Sequence, residues 1–571
     1  MIIEKITIIG FRNFANATVR FNESTLIIGA NDVGKTNLIY ALRILLDKSL
    51  SERDIEPEET DFHIAKDGVQ VGQFIITIFF KNIIEDAALS TLKAHVSDDG
   101  RSIFKLIADK NTLDYQIFIG CDEAELEQIT GRYYLKYINM RYVRSRRDLK
   151  KFIDSEKKQL LKLSQENRVT TETEHDDKQL KKISRSLNVI NERVRQLHYV
   201  KESTSLVNEE LKKLSHNYND YAVHLDSGAI KVHQFIDNLE LGASTAGSKM
   251  LLGGDGRDNQ ILLALWKAKS EREFDPDHEV TFYCVEEPEA HLHPHQQRKL
   301  ADYLNKELPG QAIITSHSPQ IAARYKPDSI IHIINKAGAS YAANEGCSNC
   351  ISTAWDEMGY RISILPAEAF FASCVFLVEG PSEQLFYQQL AIAVGIDLDF
   401  YNISILSVDG VQFDVYTKIL NALEIRWVMR TDNDVSKVAY KPLKNLAGIN
   451  RCMNIAQLPL HNHRDLAITS DALIQDGTWF NVSMQINPLG IYLSKIDLEH
   501  DLSLELSTEL LTYSDKANMV EAIKYLQDKK AIRMREFLTK NKANLAKLKT
   551  GTLIQPLIRA KYIVEESIKD G

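Results

Sequence analysis

Carboxylates collect at the ends of apolar runs in the C-terminal half of the chain. Cys374-Val-Phe-Leu-Val378 runs into Glu379-Gly-Pro-Ser-Glu383, and residues 425–430 run into Thr431-Asp432-Asn433-Asp434. Ile491-Tyr-Leu-Ser-Lys-Ile496 ends in Asp497-Leu-Glu499. An acid at the C-terminal end of a strand, followed by glycine, projects into the crevice where α/β sheets bind ligands. Several such acids make a site for hard cations, because Mg²⁺ and Mn²⁺ prefer carboxylate oxygens and repelling carboxylates stay ionised together around a divalent ion. Two ions about 4 Å apart can activate a water and stabilise the leaving oxygen of a phosphodiester. Any one Asp alone reads first as a solvated turn; Glu379 followed by the Asp432-x-Asp434 pair on separate strands reverses that preference.

A second set of residues stands near the N-terminus. Residues 29–36 read G-A-N-D-V-G-K-T, fitting G-x-x-x-x-G-K-[ST], in which backbone N–H groups cradle phosphates, a lysine reaches the β/γ-phosphates and a hydroxyl holds Mg²⁺. Asn31, Gly34, Lys35, Thr36 and Asn37 are the expected ATP–Mg²⁺ contacts. Far downstream, Val280-Thr-Phe-Tyr-Cys-Val285 ends in Glu286-Glu287-Pro288-Glu289. Glu286 is expected to hold Mg²⁺ through water and Glu287 to polarise the attacking water. The run Ala312-Ile-Ile-Thr-Ser ends in His317, either a γ-phosphate sensor or a polar strand-end histidine. A glycine-rich turn, G-G-D-G-R at residues 253–257, brings Gly254 and Gly256 to the head of a helix expected over 260–267.

These residues need a sheet to carry them. Residues 2–9 alternate as a strand, residues 11–14 (F-R-N-F) form a turn, residues 25–28 form the strand before the phosphate loop, and residues 73–80 (Q-F-I-I-T-I-F-F) are a buried strand. Arg12 in the turn is read as facing solvent, with an approach to phosphate as the alternative. From about Met140 the chain becomes charged and helical. Leu180, Ile183, Leu187, Ile190, Val194 and Leu197 keep a 3-4-3-4-3 spacing, the seam of a helical arm that either dimerises or packs on its own domain. The boundaries expected are an ATPase domain over 1–145 and 246–366, a helical insertion over 146–245 and a second α/β domain over 367–571.

The 571 residues carry a formal net charge of -9, so nucleic-acid contact must come from local basic patches. Residues 529–561 hold ten Lys or Arg against Glu536, either a backbone-tracking stretch or a solvated helix. Arg141, Arg144, Arg146 and Arg147 form a second cluster. Six cysteines give no disulfide framework, and Cys347-Ser-Asn-Cys350 is read as a loop in preference to a zinc knuckle. No signal peptide or long apolar run is present, so a cytoplasmic location is expected.

In order, the phosphate loop, glycine-rich turn, Glu-Glu strand and His strand resemble the ABC-type ATPases of the SMC and RecF kind. There the glycine-rich signature contacts ATP on the other protomer, although G-G-D-G-R departs from the usual L-S-G-G-Q. The glutamate strand followed by D-x-D resembles the Toprim domain of topoisomerases, primases and nucleases. Together, with F-R-N-F, E-E-P-E, T-S-H-S-P, V-E-G-P-S-E, T-D-N-D, G-I-N-R-C and Y-L-S-K-I-D-L-E-H-D-L, the chain resembles the OLD (overcoming lysogenisation defect) nucleases, and among them the Gabija anti-phage nuclease subunits. The resemblance implies a DNA endonuclease regulated by ATP, with Glu379, Asp432 and Asp434 as metal ligands. Asp497 and Glu499 become second-metal ligands, Glu383 a further candidate, and Lys516 the cation beside the scissile phosphate. It also implies double-stranded phage DNA as substrate, a homo-oligomer (dimer or tetramer), and a UvrD-like helicase subunit of the GajB type as partner. Two other readings stay open: an ATP-gated DNA clamp with a non-cleaving Toprim-like domain, and a topoisomerase, for which no additional domain is left over.

Overall fold

The computed structural model describes residues 1–144, 149–214, 279–290, 292–347, 367–410 and 412–570, with short stretches between 223 and 272. Gly254, Gly256, Arg146, Arg147, Cys350 and the boundary near Pro366 lie outside the described residues. The chain forms two compact units, one of Met1–Arg144 with Phe274–Gly571 and one of Ser145–Glu273.

The first unit begins with strand Ile2–Phe11, whose Ile3, Ile6 and Ile8 are fully buried. It pairs antiparallel with Phe14–Arg20 on one side and Gln73–Lys81 on the other, and Ser102–Asp109, Asp114–Gly120 and Glu127–Ile129 complete a six-stranded sheet. A second six-stranded sheet places Ser24–Ile28 between Ile330–Lys336 and Ala312–Thr315, with Val280–Glu286 and Ile138–Arg144 beyond. These five strands run parallel. Every residue of Val280–Glu286 is buried, as a central parallel strand covered on both faces requires. Parallel pairing brings the C-terminal ends of the strands to one edge, where residues 29–36, 286–289 and 316–317 all emerge.

A four-stranded parallel sheet follows in the order Ile403–Ser407, Cys374–Val378, Arg426–Thr431, Ile491–Leu493. Its apolar face packs on helices Pro381–Val394, Leu498–Glu505 and Gln555–Asp570, with Phe376, Phe386, Tyr387, Leu502 and Leu557 fully buried. Each such side chain contributes about 1.5–3 kcal/mol relative to exposure. Pro381 opens its helix and Gly395, at φ 79, ends it in the left-handed conformation.

Among the described residues this sheet meets the Ser24–Ile28 sheet through the Ala343–Glu345 turn and the strand Ile330–Lys336. Asn344 donates from its backbone N–H to Glu424 Oε1 (2.9 Å) and from Nδ2 to the carbonyls of Ala422 (2.8 Å) and Asn421 (3.1 Å). Lys336 pairs with Glu424, and His332 Nδ1 donates to Leu423 O (2.8 Å). Beside the contact lies a cavity of about 730 Å³, lined by Gly29, Ala30 and Asn31 on one side and Asn402, Ser404 and Arg426 on the other.

The second unit holds helices Leu149–Glu166, Thr170–Arg195 and His198–Leu214 and a hairpin of Gly242–Thr245 with Ser248–Leu251. It extends to Glu273, beyond the residue 245 expected from composition. Along the heptad seam Leu187 is buried, Leu180, Ile183 and Val194 are half-buried, and Ile190 and Leu197 are exposed. Among the described residues no helix is long and apolar enough to cross a membrane.

Candidate active site

The N-terminal site is built around the turn after Ser24–Ile28. Gly29 and Gly34 sit at φ 149 and 100, and a Cβ on Gly34 would lie 1.9 Å from Asn13 Nδ2. Asn13 braces the loop, donating to Val33 O (3.0 Å) and Ser340 Oγ (2.6 Å) and accepting from Asn37 Nδ2 (2.7 Å). Arg12, expected to face solvent, is half-buried. It is held by Asp61 Oδ1 (2.8 Å) and Asn37 Oδ1 (3.0 Å) and lies 4.4 Å from the Tyr40 ring centre, because the turn tucks it against helix Lys35–Leu46. Lys35 is buried and folds onto its own loop, donating to Gly29 O (2.9 Å) and Ala30 O (2.7 Å). Burial lowers its pKa to about 8 against the opposing pull of Glu287, Asp32, Glu289 and Glu286. Thr36 and Asn31 are exposed at the loop.

The buried Glu286 accepts from Tyr142 OH. Glu287 takes a positive φ of 47, donates from its N–H to Thr315 Oγ1 (3.3 Å), and places Oε1 3.6 Å from His317 Nε2. Burial, then Lys35, lowers the pKa of His317 against the opposing pull of Glu287. Glu289 had no role in the sequence reading. Its Oε1 accepts from His317 N (2.6 Å) and Ser316 Oγ (2.8 Å), fixing the histidine turn. A loop with glycines where only glycine fits, a lysine at its end and an exposed Thr36 suits a nucleotide triphosphate with Mg²⁺.

The second site lies at the C-terminal edge of the four-stranded sheet. Glu379 leaves the strand Cys374–Val378, and its Oε1 accepts from Thr431 Oγ1 (2.5 Å), Asp432 N (3.0 Å) and Arg451 Nη1 (2.6 Å). Arg451 also donates from Nη2 to Asp434 Oδ2 (3.1 Å). Asp432 Oδ1 accepts from Ser494 Oγ (3.2 Å). Burial, then Glu383, Glu379 and Asp497, drives the pKa of Asp432 well above the usual carboxylate range.

Asp497 caps helix Leu498–Glu505, accepting from His500 N (2.8 Å) and Nδ1 (2.6 Å) and from Gln527 Nε2 (2.7 Å). Burial pushes Asp497 up, but these hydrogen bonds outweigh it and hold the carboxyl below the usual range. Burial, then Asp497, raises Glu499. The structure therefore brings Glu379, Asp432, Asp434, Asp497 and Glu499 to one edge.

Glu383 and Lys516 fall elsewhere. Glu383 spends Oε2 on the backbone N–H groups of Glu379 (2.6 Å) and Gly380 (3.3 Å) and Oε1 on Arg430 (2.8 Å), so it shapes the loop carrying Glu379. Lys516 is exposed, with its ammonium 5.4 Å from the Tyr525 ring centre. Lys530, first residue of helix Lys530–Lys540, is the lysine in the field of the carboxylates. Burial lowers its pKa, but Glu499, Asp432, Asp497 and Glu379 outweigh that and raise it. Arg451 belongs to the G-I-N-R-C motif, yet nothing local marks it as the bridge between Glu379 and Asp434.

The donors are all hard carboxylate oxygens, and Asp432 is crowded by like charge, which suits Mg²⁺ or Mn²⁺. Among the described residues no three acids, histidines or cysteines converge as they stand into a metal-holding group; Arg451 lies between Glu379 and Asp434.

A family model described as AAA ATPase domain matches residues 1–322, and one described as overcoming lysogenization defect protein-like, TOPRIM domain matches residues 370–434. Endonuclease GajA of Bacillus cereus (strain VD045) is 25% identical over 572 residues, 94% of this chain and 95% of that protein. The uncharacterized protein YbjD of Escherichia coli (strain K12) is 23% identical over 198 residues, covering 34% of this chain and 36% of that one. Among solved structures, an Smc head bound to the C-winged helix domain of ScpA superposes loosely, at TM-score 0.38 and 18% identity, over 60% of this chain and 97% of that one. The first match spans more than half of the chain, which therefore belongs to the AAA ATPase domain family and carries an OLD-like TOPRIM domain after it.

Proposed function

We propose that the chain is a divalent-metal-dependent DNA endonuclease, acting in anti-phage defence, whose cutting is regulated by nucleotide at its ATPase domain. The observation that carries this reading is the placement of Glu379, Asp432 and Asp434 just past the ends of two adjacent parallel strands, with Asp497 and Glu499 at a helix N-terminus, in the field that acts on Lys530. Near full-length similarity to a protein named an endonuclease supports it.

Glu379, Asp432 and Asp434 would hold one ion, and Asp497 with Glu499 a second. Bound ions of this kind supply an activated water and neutralise charge on the leaving oxygen. Lys530 draws the phosphodiester's negative charge to the rim. Glu383 and Arg430 keep the Glu379 loop fixed, so the acid enters the reaction already positioned. At the other site Lys35, Thr36 and Asn37 would bind the triphosphate and its Mg²⁺ with Glu286, and Glu287 would take the proton of the attacking water. A homo-oligomer (dimer or tetramer), joined through the helical insertion, and a UvrD-like helicase subunit complete the assembly in this reading.

The test is supercoiled plasmid with Mg²⁺ or Mn²⁺, with and without ATP. Wild type should nick or cut, Glu379→Ala should not, and Lys35→Ala should cut without ATP yet lose its response to ATP. Intact plasmid in every metal and nucleotide condition would refute the reading, and cutting by Glu379→Ala would misplace the site.

A further inference from the structure

Between Asp434 and Ser470 the chain builds a small antiparallel sheet of Ser436–Lys437, Leu443–Asn445 and Arg464–Asp465. Its register sets Lys437 opposite Lys444 and Lys444 opposite Arg464. Directly opposed residues share a face, so three cations stand in one row across all three strands. Like charges in that relation destabilise a sheet. Lys444 rests on Ile468 O (2.7 Å), whereas Lys437 and Arg464 are exposed and, among the described residues, make no ion pair. Residues 435–468 hold five Lys or Arg against the single acid Asp465, in a chain of net charge -9.

The hairpin tip adds a second, independent observation. Tyr440 is 105% exposed and sits at φ 59. A bulky residue in the left-handed region carries backbone strain, and this one recovers none of it by packing.

The sheet is anchored in the candidate metal site at both ends. Gly448 N donates to Asp434 O (3.0 Å), a Cβ on Gly448 would lie 2.2 Å from Asp432 O, and Ser470 Oγ donates to Asn433 O (2.6 Å). A strained aromatic tip and a row of three cations, rooted beside two metal-ligand candidates, offer complementary charge and an exposed ring to the phosphates and groove of a duplex.

We propose that this three-stranded sheet is a duplex-DNA docking finger, with the Lys437–Lys444–Arg464 row lying along one phosphate strand and the Tyr440 ring packing in the adjoining groove. The proposal rests on the endonuclease reading and names the surface that presents the substrate to that site. Because Arg451, a few residues past the hairpin, bridges Glu379 and Asp434, seating a duplex on the finger also bears on the acids themselves.

The experiment measures binding of a fluorescent duplex by anisotropy in EDTA, where no strand is cut, across a salt series with the full chain. Lys437→Gln/Arg464→Gln should lower the slope of log K against log salt by about 2, since each phosphate contact contributes about 0.9. Tyr440→Ala should weaken binding about fivefold or more, and Tyr440→Phe should restore it. Thermal melting of each variant should match wild type, because the altered side chains are exposed. If wild type binds duplex and these variants bind with its affinity and slope, the finger is refuted. If wild type binds no duplex and cuts no plasmid, the endonuclease reading itself falls.

Discussion

Replacing Arg430 by methionine separates a positioning role from a stabilising one. The Arg430 side chain is 4% exposed, and its guanidinium donates from Nη1 to Glu383 (2.8 Å) and from Nη2 to Asp501 (2.7 Å), side chains themselves 6% and 11% exposed. Methionine keeps most of the buried volume but leaves two carboxylates without their cation. Removing one partner of a buried ion pair costs about 3–5 kcal/mol, and with two acids sharing this arginine the upper end applies. For a region of about 200 residues each kcal/mol lowers the midpoint by about 2–4 °C, so the transition of the C-terminal half should fall by about 10–20 °C. The pH dependence has a definite sign. Burial lifts Glu383 to about 7 and raises Asp501, while Arg430 pulls both down. Without Arg430 both acids titrate higher in the folded state than in the unfolded one, so the deficit should shrink toward about pH 5 and grow toward about pH 8. Calorimetry at several pH values measures this, and adding Glu383→Gln and Asp501→Asn should recover most of the loss. A midpoint for Arg430→Met within about 2 °C of wild type near neutral pH would refute the argument.

The two lysines are separable by activity: Lys530→Ala should slow plasmid nicking by about a hundredfold or more under single-turnover conditions, and Lys516→Ala should stay near wild type. The reverse order would return the role to Lys516. Arg451→Gln should tighten Mn²⁺ binding by about tenfold in a calorimetric titration, because a fixed positive charge leaves Glu379 and Asp434. Unchanged affinity would show that the guanidinium does not oppose the cation.

The parts of these sites that could be read from the chain are those that a strand and its next residues encode locally. An apolar run followed by an acid suffices to place Glu379 and Asp432 at strand ends, whereas Asp497 lies past the short strand Ile491–Leu493 as a helix cap; residues 29–36 announce a phosphate loop without help. What could not be read are pairings across long separations. Arg451 reaches Glu379 from 72 residues away, and Arg430 reaches Asp501 from 71. Lys530 is exposed in a run of exposed lysines, and only the field of the distant carboxylates Glu499, Asp432, Asp497 and Glu379 distinguishes it. Glu383 was misleading because a glutamate at the third position of a helix reads as a ligand or as a cap with equal ease, and here it caps. Arg12 reads as a surface residue until the turn places it on Asn37 and Tyr40.

The contact between the two sheets bears on one strand in particular. Glu424, gripped by Lys336 and Asn344, stands one residue before the start of the Ile425-to-Thr431 run, and that run ends at Asp432. Six strand residues at about 3.3 Å each span about 20 Å, and a central strand bonded on both edges resists compression along its length. One end abuts a cavity lined also by the phosphate loop, and the other carries an acid of the C-terminal site, so one continuous strand spans the distance between the two.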